Sequence, residues 1–151
     1  MYIIHTRTNE EVECKIAEIK PKDLFYTRKE FSFDWIQEAS KYSVYKLYTL
    51  NDQRIQGLIS TLDERDFLFL NLIENAKTNV GSQKIFARVA GNLIAFAASL
   101  SLQQNDGFMM MIAKTKLINW YHETYGFVRL GNSNKMISQP DNSKKLVISY
   151  L

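Results

Sequence analysis

The sequence predicts an α/β (α+β) fold: a mixed, mostly antiparallel central sheet with a parallel central strand pair and helices on both faces. Three observations lead there. Residues 43–74 read as three strands in series, joined by short polar turns. A long segment, about Phe86 to Gln103, then carries apolar residues at three- and four-residue spacing. A second apolar run, Phe108 to Ala113, follows it, and strand–helix–strand connects most naturally as a parallel crossover.

Met1–Thr6 is β-branched and aromatic enough for an edge strand and equally fits a loose end. Glu13–Ile19 alternates Cys14 and Ile16 against Lys15 and Ala17, a strand stopped by Pro21. Phe25–Trp35 is rich in aromatic residues without a clear period. Phe31, Phe33 and Trp35 fit a short extended piece, and the rings suit either core or the wall of a substrate groove. Asp34 is placed to cap a brief helix, Trp35–Lys41.

The meander comes next: Ser43–Leu50, a turn at Asn51-Asp52-Gln53, Arg54–Leu62, and a second turn at Asp63-Glu64-Arg65-Asp66. Phe67–Glu74 is almost wholly apolar, as in a strand covered on both faces. The main helix is expected over about Phe86–Gln103, with Val89, Leu93, Phe96 or Ala97, and Leu100 on its packed face. Asn105-Asp106-Gly107 ends it. Phe108–Ala113 reads as a buried strand and Lys114–Tyr125 as a second helix ended by Gly126. Phe127–Ile137 reads as a last strand or bent hairpin, and Ser143–Leu151 fits a helix or a strand equally.

Composition narrows the function. At 151 residues, 46% hydrophobic and 23% charged, residues 1–151 fit a single domain with a real core. One cysteine, Cys14, excludes an internal disulfide and a multi-cysteine metal site, and reads as a buried structural thiol. Two histidines, His5 and His122, argue against a catalytic zinc, so no metal is expected. The net charge of +3 suits an anionic ligand, but it is mixed with acids throughout and is no nucleic-acid signature by itself, so nucleic acid is not an expected partner. Without a signal-peptide pattern or a run of eighteen apolar residues, the expected location is cytoplasmic, with no membrane partner.

The chemistry concentrates at Gly81–Leu102. A turn, Asn79-Val80-Gly81-Ser82, leads into the main helix, with Gly91 in its first turn. A glycine there costs about 1 kcal/mol against alanine and lets a ligand approach the backbone. A helix start with exposed N–H groups is an anion site, read here as the seat of a coenzyme pyrophosphate.

Two stretches, Ala87–Ala97 and Leu117–Phe127, resemble the motifs of the GCN5-related N-acetyltransferase (GNAT) superfamily. The resemblance runs over about residues 42–137 and implies a GNAT-like domain. Some small bacterial members write Gly-Val-Ala-Gly-Asn-Leu where this chain has Arg88–Leu93, so Arg88 replaces a glycine. The resemblance implies acetyl-CoA as the coenzyme. Arg88, Val89, Ala90, Gly91, Asn92 and Leu93 would wrap its pyrophosphate, with Leu72, Ile73 and Lys114 also on the coenzyme. The Arg88 guanidinium would either crowd a phosphate or bind it, the second being favoured.

The resemblance further implies direct transfer of an acetyl group to a primary amine. Amides at the end of strand Phe67–Glu74 would hold the thioester carbonyl oxygen. Tyr121 falls on the tyrosine that protonates the departing thiolate, a packed helical tyrosine being the alternative. Glu74 would take the proton from the acceptor ammonium, an ion pair or solvated strand end being the alternative. His122 lies about 100° round the helix from Tyr121 and should face solvent. Lys114 or Thr115 stands where the family has an asparagine. The acceptor would be a small-molecule or peptide amine, and a homodimer is compatible with the reading. Two other functions fit the residues: a non-catalytic GNAT-like binding protein, and an acetyltransferase toxin acting on aminoacyl-tRNA, which no basic stripe supports.

Overall fold

The expected meander forms as β3 (Ser43–Thr49), β4 (Ile55–Asp63) and β5 (Leu68–Asn75) in the computed structural model, which describes residues 1–151. Before it come β1 (Tyr2–His5), β2 (Glu11–Glu18), α1 (Pro21–Glu30) and α2 (Trp35–Lys41). After it come β6 (Phe86–Ala87), α3 (Val89–Gln104), β7 (Met109–Ile112), α4 (Ile118–Tyr125), β8 (Val128–Arg129), β9 (Lys135–Ser138) and α5 (Pro140–Tyr150). The strand order is β6-β1-β2-β3-β4-β5-β7-β9-β8, antiparallel except for the parallel pair β5–β7. The chain divides into two compact units, Met1–Ser60 with Leu72–Leu93 and Thr61–Asn71 with Ile94–Leu151. No helix is long and apolar enough to cross a membrane.

In the first unit, Met1–Thr6 resolves as a true strand. β1 pairs with β2 from Tyr2↔Glu13 to Ile4↔Glu11 and with β6 at Ile4↔Ala87 and His5↔Phe86. The core gathers Phe31, Trp35, Val44, Leu58 and Ala76, with Ile19, Ala39, Ile55 and Leu72 packed around them. Asp34 caps α2 as expected, accepting from the Gln37 N–H at 3.0 Å. The stretch before it differs from expectation: α1 is a full helix. Pro21 opens it at a position where its missing N–H costs nothing. Only Thr27 of α1 is buried, and Phe25 and Tyr26 point outward. Helical periodicity is therefore faint in the sequence, because the rings do not mark the inner face.

In the second unit, β5 pairs with β7 from Leu68↔Met109 to Leu70↔Met111, and β9 covers the other edge of β7. Of the two forms open for Phe127–Ile137, a last strand or a bent hairpin, β8 and β9 form the hairpin. Gly126 ends α4 with φ of 75°, and a Cβ there would collide with Asn142. The ambiguous tail is a helix. Pro140 occupies its first turn, Leu146 is buried, and the Ser143 hydroxyl donates to Gly107 O at 2.6 Å.

Three aspartates hold turns and ends in place, and each carboxyl lies below its usual range. For Asp23, burial works the other way but is outweighed by the hydrogen bonds from Lys46 and the Lys20 N–H. The Thr49 hydroxyl and the Arg54 N–H lower Asp52, and the Arg65 N–H and Asn105 amide lower Asp63. A depressed folded value stabilises the fold above the unfolded value of about 3.9, and the gain disappears as pH falls through the folded value. The melting temperature should therefore hold steady from pH 7 to about 4 and drop below that. Thermal unfolding followed by circular dichroism checks this, and Asp52→Asn should make the acid decline shallower.

Candidate active site

The main helix starts three residues later than the sequence suggests. Phe86 and Ala87 form β6 against β1, and Arg88 then adopts φ of 73°, the left-handed region where glycine is at ease. Arg88 thus stands in a glycine's conformation at the position where the resembling motif has a glycine, at a cost of order 1 kcal/mol. From that turn α3 begins at Val89.

The first intrahelical bond runs from Asn92 N–H to Arg88 O at 3.1 Å. Val89, Ala90 and Gly91 are therefore the first three helical residues, whose N–H groups have no acceptor in the preceding turn. They point out of the positive end of a sixteen-residue helix. Two N–H groups just upstream are already used: Ile85 donates to Thr78 O at 2.9 Å, and Phe86 to Asn79 Oδ1 at 3.0 Å. A diphosphate fits the three-amide cradle by the chemistry of its donors.

Two of the expected pyrophosphate residues do something else. Asn92 is fully buried, and its side-chain amide donates to Tyr2 O at 2.8 Å and Arg88 O at 2.7 Å. It locks the left-handed turn from inside. Leu93 is fully buried against Gly57, whose missing Cβ would stand 2.5 Å from Val89 and 3.0 Å from Leu93. That isolated glycine in a strand pattern is the sequence's signal for close backbone approach by the first turn of α3. The Arg88 guanidinium lies 4.4 Å from the centre of the Tyr2 ring, a cation–π contact. Its side chain is thereby seated on β1.

β5 changes phase as it ends. The Leu68 N–H donates to Phe108 O beside β7, whereas Leu72 N–H donates to Ser60 Oγ at 3.0 Å and Ala76 N–H to Gln56 O at 2.9 Å, both on β4. A regular strand sends alternate amides to one edge, so these three belong together unless the strand slips by one residue. The expected coenzyme residue Leu72 has its amide taken by Ser60. Past the slip, Ile73 presents its N–H on the edge of β5 away from β4. The Ser60 hydroxyl also donates to Glu38 Oε2 at 2.6 Å. Sequence reasoning missed this buried Glu38–Ser60 pair, although a serine inside a buried strand must find a partner.

Glu74 is not placed as a free base. Its carboxylate accepts from Ser32 N–H (2.6 Å), Phe33 N–H (3.1 Å) and Trp35 Nε1–H (2.8 Å). Three of its roughly four acceptor sites are occupied. The residue clamps the α1–α2 connection to the end of β5, beside a depression of about 310 Å³ lined by Thr27, Phe31, Phe33 and Trp35.

In the second unit, Tyr121 is half-buried on α4. Its ring meets Trp120 edge-on at 5.0 Å and Phe127 at 6.3 Å. Its hydroxyl takes up no hydrogen bond within the chain. Burial pushes the phenol above its ordinary range, so it stays protonated at neutral pH, the state that an acid catalyst needs. His122 is exposed as expected, with Nδ1 2.7 Å from Phe127 O. Lys114 is exposed as well. It precedes a 3-10 turn, Thr115–Leu117, so α4 itself starts at Ile118.

Neither a protein-family model nor a curated protein sequence matches the chain. Solved structures do. AtaTR bound with acetyl-CoA superposes with a TM-score of 0.61 at 16% identity, covering 89% of this chain and 98% of that one. The chain has the GNAT fold. Other structures of this GNAT fold align over similar lengths. The KacTA–DNA complex gives a TM-score of 0.58 at 13% identity, covering 91% of this chain and 99% of that one. AtaT complexed with acetyl-methionyl-tRNAfMet gives 0.57 at 12% identity, covering 89% and 99%. Complexes that contain DNA and tRNA thus occur among structures of this fold.

Proposed function

We propose that the chain is an acetyl-CoA-dependent N-acetyltransferase that moves an acetyl group to a primary amine by direct attack. The observation that carries this reading is the amide triad Val89–Ala90–Gly91 at the start of α3, whose N–H groups have no acceptor in the preceding turn. Acetyl-CoA supplies an activated acetyl thioester. Within the first unit the triad would hold its diphosphate and the Ile73 N–H would take the carbonyl oxygen; the return of a proton to the thiolate is assigned to the Tyr121 phenol by the family resemblance alone. Lys114 is a further cation for the coenzyme's phosphates. A cytoplasmic location goes with this reading.

Titration calorimetry with acetyl-CoA tests it. Saturable binding at micromolar concentration is expected, and no heat at high micromolar protein would leave only a GNAT-like binding protein. Because the Arg88 guanidinium sits on Tyr2, Arg88→Gly should change the dissociation constant less than about threefold, since no charge-assisted bond to phosphate is removed. A tenfold loss would return the guanidinium to the diphosphate.

A second reading narrows the acceptor. With Glu74 engaged by three N–H donors, the acceptor that fits best needs little help to lose its proton. An α-amine with a pKa of about 8 is roughly a tenth neutral at pH 7, whereas a lysine amine at about 10.4 is almost wholly charged. The α-amine of an aminoacyl ester on tRNA belongs to the first kind, and a complex with an acetylated aminoacyl-tRNA exists on this fold. Acetylation of charged tRNA in preference to a lysine peptide, together with growth arrest on expression, is the expected result.

A further inference from the structure

The inference rests on the second reading, that the amine is carried on RNA, and concerns what holds that RNA. α1 turns two large rings into solvent, with Phe25 77% and Tyr26 74% exposed. Exposure of one ring is ordinary, but two adjacent rings on one short helix form a platform without a fold to support. Lys22 lies one turn before the pair and Lys29 one turn after it, so the four residues share one helical face. They line a cavity of about 590 Å³ together with Gln53 and Arg54.

The charge on this face is one-sided. Its two carboxylates are already neutralised, Asp23 by Lys46 at 2.7 Å and Glu30 by Arg54 at 2.9 Å. Lys22, Arg28 and Lys29 make no ion pair. The surface therefore offers flat apolar rings between Lys22 and Lys29, neither of which is in an ion pair. That combination is complementary to a single strand of nucleic acid, whose bases stack on aromatic rings while its phosphates meet lysines. A duplex hides its bases and gains nothing from the rings. The platform also lies next to the Glu74 clamp, because α1 runs straight into the connection that Glu74 holds.

We propose that the Phe25–Tyr26 face of α1 is a stacking platform for a single-stranded RNA segment, flanked by Lys22 and Lys29 on its phosphates. The test is fluorescence anisotropy of the full chain with a labelled twelve-nucleotide RNA of mixed sequence, and with the same RNA as a duplex. The single strand should bind in preference to the duplex. Phe25→Ala/Tyr26→Ala should weaken it about tenfold or more, with an unchanged circular dichroism spectrum. Lys22→Ala/Lys29→Ala should reduce the slope of log affinity against log salt by about 1.4.

Equal binding by wild type and the ring variant, or no binding at all, overturns the proposal. So does a dimer in sedimentation that the ring variant converts to a monomer, since the rings would then cover a second copy. Transfer to a small amine without any RNA binding sinks this inference and spares the transferase. RNA binding by a protein that never takes up acetyl-CoA does the reverse.

Discussion

Tyr121→Phe is expected to lower kcat for acetyl transfer by about a hundredfold or more, with KM for acetyl-CoA changed less than threefold. The substitution keeps the ring, and with it the edge contacts to Trp120 and Phe127, so the fold should lose little. Only the hydroxyl goes, and that hydroxyl bonds nothing within the chain. An interaction made only with the leaving group lowers kcat without raising KM. Since burial raises the phenol, the alkaline limb of kcat should lie above pH 10 in the wild type and vanish in the variant. Steady-state kinetics across pH reads both. A variant with full kcat would make Tyr121 a packing residue and nothing more.

Glu74→Ala should destabilise the fold by about 2–4 kcal/mol, lowering the melting temperature by about 5–15 °C. The Ser32 and Phe33 amides can turn to water, but Trp35 is 1% exposed and its indole N–H would be left buried without its acceptor. Glu74→Gln retains an acceptor oxygen and should cost about half as much. The pair also separates clamp from base. For a clamp, the activity of the Gln variant falls with the stability of the α1–α2 connection and its pH profile keeps its shape. For a base, Gln loses activity at neutral pH while melting at almost the wild-type temperature. Differential scanning calorimetry alongside a pH–rate profile decides between them.

Much of the fold was legible because local rules carry it. Alternation in residues 43–49 and the polar turns around Asp52 and Asp63 specify a meander wherever the chain sits. The apolar run of α3 between a turn and Asn105-Asp106-Gly107, followed by Phe108–Ala113, forces a crossover. α1 was hidden because its largest apolar side chains face away from the core, so hydrophobic periodicity marks the wrong side. α5 was undecidable because Leu146, Val147 and Ile148 satisfy either period. Its helix is settled by Ser143 and Asn142, which bond Gly107 O and Tyr125 O.

Within the site, residue types were more legible than their jobs. By itself the sequence determined that a turn gives way to an apolar helix near Gly91 and that a tyrosine ends up on a helix before Gly126, because both follow from spacing along a few turns of chain. Tertiary structure alone decided that Arg88 lies on Tyr2, that Ser60 takes the Leu72 amide, and that Glu74 holds Ser32, Phe33 and Trp35. Each depends on a partner between 12 and 86 positions away, and which polar group meets which across such distances is set by strand register and helix docking, not by any local pattern.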